Sequence, residues 1–151
     1  MKTSCGIIII NEKEEIFMGH STGNKFYDIP KGLLEENETP IDCALRECEE
    51  ETSLKFKTSE LNEIGLLPYN KEKNLHLFLV HTQKESIILE NLVCNSFFEH
   101  HYTKKTVPEV DSFRWIPFSE IELNCAKSMG KLLLKLINEK TISISNKKIK
   151  L

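Results

Sequence analysis

Apolar residues recur along this chain with two periods, and the switches between them mark its elements. Residues 3–10 end in four consecutive isoleucines, the near-continuous β-branched run of a strand buried on both faces. Residues 15–20 read as its hairpin partner across the polar turn 11–14, and a loop with Gly23-Asn24 follows. A short strand over 26–29 ends at Pro30-Lys31-Gly32. Thr39-Pro40 then opens a helix, since Thr is a good N-cap and Pro is favoured at the first helical position. Ile41, Ala44, Leu45 and Cys48 recur at helical spacing and give that helix a core-facing stripe. Residues 60–67 and 75–82 look like paired strands, with further strands at 91–98 and 112–116. Ser119-Glu-Ile-Glu122 has capping-box spacing. Met129, Leu132, Leu133, Leu136 and Ile137 make 126–137 an amphipathic helix. Strands, a helix, more strands and a second helix suggest an α/β fold in which helices sandwich a mixed sheet.

With 151 residues the chain has the length of one domain, enough to bury about two-thirds of the surface exposed when unfolded. One domain is expected over 1–151, with the basic stretch 141–151 as an extended or mobile tail. A hydrophobic fraction of 40% and a charged fraction of 28% are those of a globular protein. The net charge of −3 argues against a broad nucleic-acid-binding face but leaves room for a local basic pocket. Five cysteines form no C-x-x-C pair and are odd in number. That argues against a disulfide framework or structural zinc, and for reduced thiols in a cytoplasm. The apolar run 7–10 is far too short for a signal peptide or membrane span, so no membrane partner is expected.

Charge is most concentrated in the first helix. Glu47, Glu49, Glu50 and Glu51 crowd into five residues, with only Arg46 beside them. On a helix, Glu47 lies three and four residues from Glu50 and Glu51, so the three share a face. Like charges so spaced cost about 0.2–0.5 kcal/mol per pair. The face is therefore either well solvated or occupied by a cation. Magnesium takes oxygen ligands of this kind and leaves positions for water and substrate phosphates.

Gly32, Glu38, Arg46, Glu47, Glu50, Glu51 and Leu54 stand in register with G-x5-E-x7-R-E-U-x-E-E-x-G-U, where U is a bulky aliphatic residue. The segment resembles the box of the Nudix hydrolases, without a gap. Two positions depart from it. Cys48 replaces an aliphatic residue, a mild change because a free thiol packs as a small hydrophobe. Ser53 replaces the glycine that normally supplies a left-handed helix cap, at a cost of about 1 kcal/mol or less.

The resemblance spans essentially the whole chain and implies the Nudix α/β/α sandwich. It also implies a metal shell of magnesium, with manganese as the alternative, held by the Gly32 carbonyl and by Glu47, Glu50 and Glu51. Arg46 and Glu38 would support that shell. The segment Tyr27-Asp-Ile-Pro-Lys31-Gly32 looks like the approach to the box in these enzymes, which makes Lys31 a phosphate contact and Tyr27 a substrate contact. Pro108-Glu109-Val-Asp-Ser-Phe-Arg-Trp115 resembles the P-E-x-D-x-x-x-W stretch of Nudix enzymes acting on dinucleoside polyphosphates and triphosphorylated RNA ends. That resemblance makes Glu109 a further metal ligand or base, so the catalytic carboxylates would be Glu50, Glu51 and Glu109. Trp115 is expected in the core. His20, His76, His81, His100 and His101 show no metal-ligand spacing.

The implied activity is magnesium-dependent hydrolysis of a pyrophosphate bond in a nucleoside diphosphate derivative. The bis(5′-nucleosyl)-tetraphosphatase type fits best. An RNA 5′-triphosphate end and damaged nucleoside triphosphates are the runner-up substrates. A rival of another class is a Nudix-like module that binds a nucleotide without cleaving it. Such modules usually lose box glutamates, and here all are present. The sequence leaves the number of subunits open.

Overall fold

In the computed structural model, which describes residues 1–144, helices cover both faces of a seven-stranded mixed sheet. Its spine is β1 (Lys2–Ile10). One edge of β1 pairs in parallel with β6 (Lys73–His81) along its full length, and β6 pairs antiparallel with β5 (Asn62–Pro68). The other edge is shared. Ile10 meets Ile16 of β2 (Glu15–Ser21), while Ser4–Gly6 pair with the short β4 (Lys31–Leu33). Strand β2 therefore splays away from β1, and β3 (Tyr27–Asp28), paired to β2, fills the wedge together with β4. On the far side of β2 lies β9 (Val110–Pro117), with its register broken between His20 and Ser21. The arrangement is the expected α/β/α sandwich.

The isoleucine run shows why β1 is the spine. Ile7 and Ile9 join Cys5, Phe17, Phe78 and Trp115 beneath α1 (Pro40–Thr52). Ile8 and Ile10 join Met18, Leu77, Ile116 and Leu133 beneath α3 (Lys127–Asn138). All four isoleucines are fully buried, and each contributes about 1.5–3 kcal/mol by leaving water.

Helix α1 is fixed at both ends. Thr39 Oγ1 accepts the Asp42 N–H at 3.3 Å, with Pro40 at the first helical position. Cys43, Ala44 and Cys48 form its buried stripe. At the other end Ser53 adopts the left-handed conformation, φ 67°, and its N–H reaches the Glu49 carbonyl at 2.8 Å. Its hydroxyl accepts the Val93 N–H at 3.1 Å, a bond that a glycine could not make.

Several expected elements differ. The strand expected over 91–98 is mostly a connection wrapped on the end of α1, because the Asn95 N–H caps the Glu50 carbonyl at 2.6 Å. Only β7 (Phe97–Glu99) is extended, paired with β8 (Thr106–Pro108) as a two-stranded arm separate from the main sheet. No capping box forms at Ser119. That residue lies in a 3₁₀ turn after Pro117, and the short α2 (Ile121–Asn124) starts after Glu120 with no side-chain cap. Residues 141 and 142, expected as the start of an extended or mobile tail, are instead packed against α3. Ile142 is buried in the α3-side core, with the Thr141 and Ile142 N–H groups on the Leu136 carbonyl; 145–151 lie outside the described residues.

Candidate functional site

Where β2 parts from β1, the wedge opens into a cleft of about 310 Å³. Lys31, Glu51 and Glu109 line it, together with Thr22, Asp28 and Phe98. Three separate parts of the chain meet here: the strand leading into the box, the last turn of α1, and the junction between the arm and β9.

Glu51 is almost wholly enclosed, 9% exposed. Its Oε1 accepts the Lys31 backbone N–H at 3.0 Å. Among the described residues no ammonium or guanidinium lies within ion-pair distance of it. Burial pushes its pKa up to about 8 against the opposing pull of that N–H, and Glu47 and Glu109 add repulsion. Glu47 is also raised by burial, partly offset by Arg46, with Glu50 and Glu109 repelling it. Glu109 therefore faces both box carboxylates, although more than fifty residues separate it from Glu51 in sequence.

Gly32 is required by this packing, because a Cβ on it would overlap the Glu47 carboxylate. Its carbonyl accepts the Cys43 thiol at 3.5 Å, which uses one of its two lone pairs.

Arg46 gathers the other carboxylates. Its Nε reaches Glu38 Oε2 at 2.7 Å, its Nη1 reaches Glu47 Oε2 at 2.7 Å, and a longer 3.4 Å contact reaches Glu50. These hydrogen bonds hold the Glu38 carboxyl down at about 2 and raise the guanidinium pKa. Glu50 opens onto an adjoining hollow lined by Arg46, Glu49, Ser53 and Asn95, not onto the Glu51 cleft. Glu50 and Glu51 therefore leave the helix toward different spaces.

Lys31 Nζ lies 3.1 Å from Asp28 Oδ2. Burial opposes its charge, but Asp28, Tyr69 and Glu51 outweigh burial and its pKa is raised. It stays a cation. Tyr27 is placed differently from the expectation. Its ring packs with the α3-side core, next to His20 and under the Arg114 guanidinium, and it is not among the residues lining the cleft. Adjacent residues of a strand face opposite sides, so Asp28 takes the cleft and Tyr27 the core. Trp115 is buried, 7% exposed. His20 pairs with Asp111 and His76 with Glu63, each at 2.6 Å, and His81 contacts the Ser143 carbonyl.

Sequence reading named neither Thr22 nor Phe98 as a cleft residue. Thr22 sits in a turn-like segment without a motif, and Phe98 was absorbed into an expected strand. Asp28 was visible only as part of the approach to the box.

The donor chemistry suits a hard divalent cation. Glu47 and Glu51 are carboxylates whose charge is disfavoured by burial and by the neighbouring acids, Glu109 among them, and a bound cation would relieve both effects. Among the described residues no three acidic, histidine or cysteine side chains converge as ligands of one ion, and Arg46 occupies the space between Glu38, Glu47 and Glu50.

The NUDIX domain model matches residues 2–136. An uncharacterized 17.7 kDa protein in the e-segB intergenic region of Enterobacteria phage T4 is 34% identical over 143 residues, 88% of this chain and 94% of that protein. The RNA pyrophosphohydrolase of Legionella pneumophila (strain Corby) is 30% identical over 127 residues, 80% of this chain and 72% of that enzyme. Among solved structures, the binary complex of a C. elegans Ap4A hydrolase superimposes with a TM-score of 0.63 at 17% identity, covering 91% of this chain and 98% of that one.

Proposed function

Because the chain belongs to the Nudix hydrolases, we propose that it hydrolyses a phosphoric anhydride in a nucleoside polyphosphate, with a dinucleoside polyphosphate as the leading substrate. One observation carries this reading. A buried carboxylate, Glu51, meets Glu47 and Glu109 across a cleft that also holds the Lys31 cation.

Glu47, Glu51, Glu109 and the Gly32 carbonyl are the groups that would hold magnesium, or manganese in its place, and Glu50, which opens onto the adjoining hollow, would join them only by turning toward the cleft. When bound, that ion supplies charge neutralisation for phosphoryl oxygens and lowers the pKa of water. The remaining work falls to side chains. Lys31 presents a compact cation to a phosphate on the cleft floor. Arg46 keeps the Glu47 carboxylate against Gly32 and shields it from Glu50. Glu51, enclosed in the cleft and held by a single backbone N–H, is the carboxylate placed to take a proton from the attacking water, with Glu109 in the same cleft as the second candidate. The leaving group is a nucleoside phosphate.

A second reading, the triphosphorylated 5′ end of RNA, draws on the relative named an RNA pyrophosphohydrolase. Among the described residues no helix is long and apolar enough to cross a membrane, and all five cysteines are free. We place the enzyme in a reducing cytoplasm.

The test uses metal-stripped protein with diadenosine tetraphosphate and with 5′-triphosphorylated RNA, each with magnesium and with EDTA. Magnesium-dependent release of nucleotide, phosphate or pyrophosphate is expected. Full activity in EDTA would overturn the metal-dependent reading, whereas no turnover of either substrate with metal and undiminished nucleotide binding would return the chain to the class of non-catalytic nucleotide binders.

A further inference from the structure

Two groups in the cleft have no task in the hydrolysis. The first is the Thr22 hydroxyl. Its Oγ1 is buried and has no hydrogen-bond partner among the described residues. A β-branched side chain holds such a group stiffly, and a buried hydroxyl left alone costs free energy that a ligand could recover. The backbone beneath it is fixed, because the Thr22 N–H donates to the Glu109 carbonyl at 3.1 Å.

The second group is the Phe98 ring. Among the described residues it is the one aromatic side chain lining the cleft, and it is 37% exposed. Phe98 is carried there by the arm, whose base is tied down by the Glu109 N–H on the Ser96 carbonyl at 2.8 Å. The neighbouring Phe97 follows the strand's alternation and does not line the cleft. Gly19 and Val110, which also line the cleft, pack directly against each other, since a Cβ on Gly19 would overlap the Val110 side chain. A volume of about 310 Å³ lies at the small end of ligand sites and suits one nucleotide rather than two.

We propose that Phe98 and Thr22 form the nucleoside subsite of this cleft. The base of one nucleoside stacks on the Phe98 ring and shares a hydrogen bond with Thr22 Oγ1, while its phosphates run toward Lys31, Glu51 and Glu109. The assignment rests on the hydrolase reading only for the direction of the phosphates. Stacking accepts every base, and a single hydroxyl that both donates and accepts separates them weakly. The subsite therefore selects for a nucleoside over a bare polyphosphate, with little preference among bases.

The test is calorimetric titration of AMP, GMP, CMP and UMP, with inorganic pyrophosphate as the probe lacking a base. Phe98→Ala should weaken binding of the nucleotides about tenfold or more. Thr22→Val keeps the side-chain shape and should weaken it about fivefold. Pyrophosphate affinity should not change in either variant, Phe98→Trp should restore nucleotide affinity, and Phe97→Ala should behave as the wild type. Equal weakening of pyrophosphate and nucleotides, unchanged nucleotide binding in both variants, or no binding of any of the four nucleotides to the wild type would each overturn the proposal. Binding is read without turnover. Nucleotides held through Phe98 and Thr22 by a protein that cleaves no substrate would keep this subsite and remove the hydrolase reading.

Discussion

Glu38 and Glu51 belong to one box and one acidic cluster, yet the fold treats them in opposite ways. Arg46 holds Glu38 at 2.7 Å, and its hydrogen bonds keep that carboxyl near 2. Glu51 has only a backbone N–H at 3.0 Å, and burial lifts it to about 8. Glu47 lies between them, bound by Arg46 on one side and facing Glu109 on the other. Pairing therefore fixes one end of the cluster in the charged state. Burial without a cation leaves the other end ready to exchange a proton or accept a metal. The same residue type serves as scaffold or reactive group according to what surrounds it.

The largest test of this contrast is on the Glu51 side. Glu51→Gln should retain the fold and lower turnover by 10² or more, which is about 2.7 kcal/mol of barrier. Circular dichroism should show melting at or above the wild-type temperature while the rate collapses. Loss of rate that merely follows loss of fold would contradict the reactive assignment. Glu109→Gln, across the cleft, should also reduce turnover strongly with little change in KM, as expected of an interaction made mainly in the transition state. A near-normal rate would move Glu109 out of the site.

On the Arg46 side the effect should appear in stability. Arg46→Ala leaves Glu38 and Glu47, both largely buried, without their partner and should cost about 2–3 kcal/mol in denaturant unfolding. A variant as stable as the wild type would show that the guanidinium is dispensable as scaffold.

The smallest and most discriminating effect is the pH profile of the metal-free protein. Glu51 is raised from its ordinary 4.5 to about 8, so the native state holds the proton more tightly. Its contribution is complete below 4.5 and is lost as pH rises through about 8. Glu38 is lowered from 4.5 to about 2, so its contribution is present above 4.5 and is lost as pH falls through about 2. The melting temperature should decline on both sides of a maximum near pH 4–5. Glu51→Gln should flatten only the alkaline limb. An unchanged alkaline limb in that variant would break the comparison.

The sequence disclosed the parts of this molecule that depend on period and spacing. The isoleucine run and its hairpin partner, the paired strands near 62–81 and the helices α1 and α3 carry strong patterns, and they appear within a few residues of where those patterns place them. Box spacing pointed to Glu51, and the P-E-V-D stretch to Glu109, which lines the same cleft. What escaped depends on contacts distant in sequence. Residues 93–95 look like a strand but serve the orphan end of α1, through Val93 on Ser53 and Asn95 on Glu50. A sequence does not show that a helix end will claim them. Ile142 has no periodic neighbours after α3, so its burial is invisible until the chain turns back. Tyr27 was read from its place in a motif, and strand alternation then sent its ring to the opposite face. Thr22 and Phe98 reach the cleft only because the arm stands beside β9.

The pairing of β2 with β9 carries a consequence for biosynthesis. Strand β2 leaves the ribosome well before its long partner, which ends at Pro117, nearly a hundred residues later. At typical elongation rates that delay is roughly 5–20 s. Throughout it, the apolar, uncharged runs Ile7–Ile10 and Ile16–Met18 have no completed sheet to enter. The nascent protein must therefore shelter its future spine until β9 has emerged, and slower translation between β2 and β9 should lower the soluble yield without changing a single native contact.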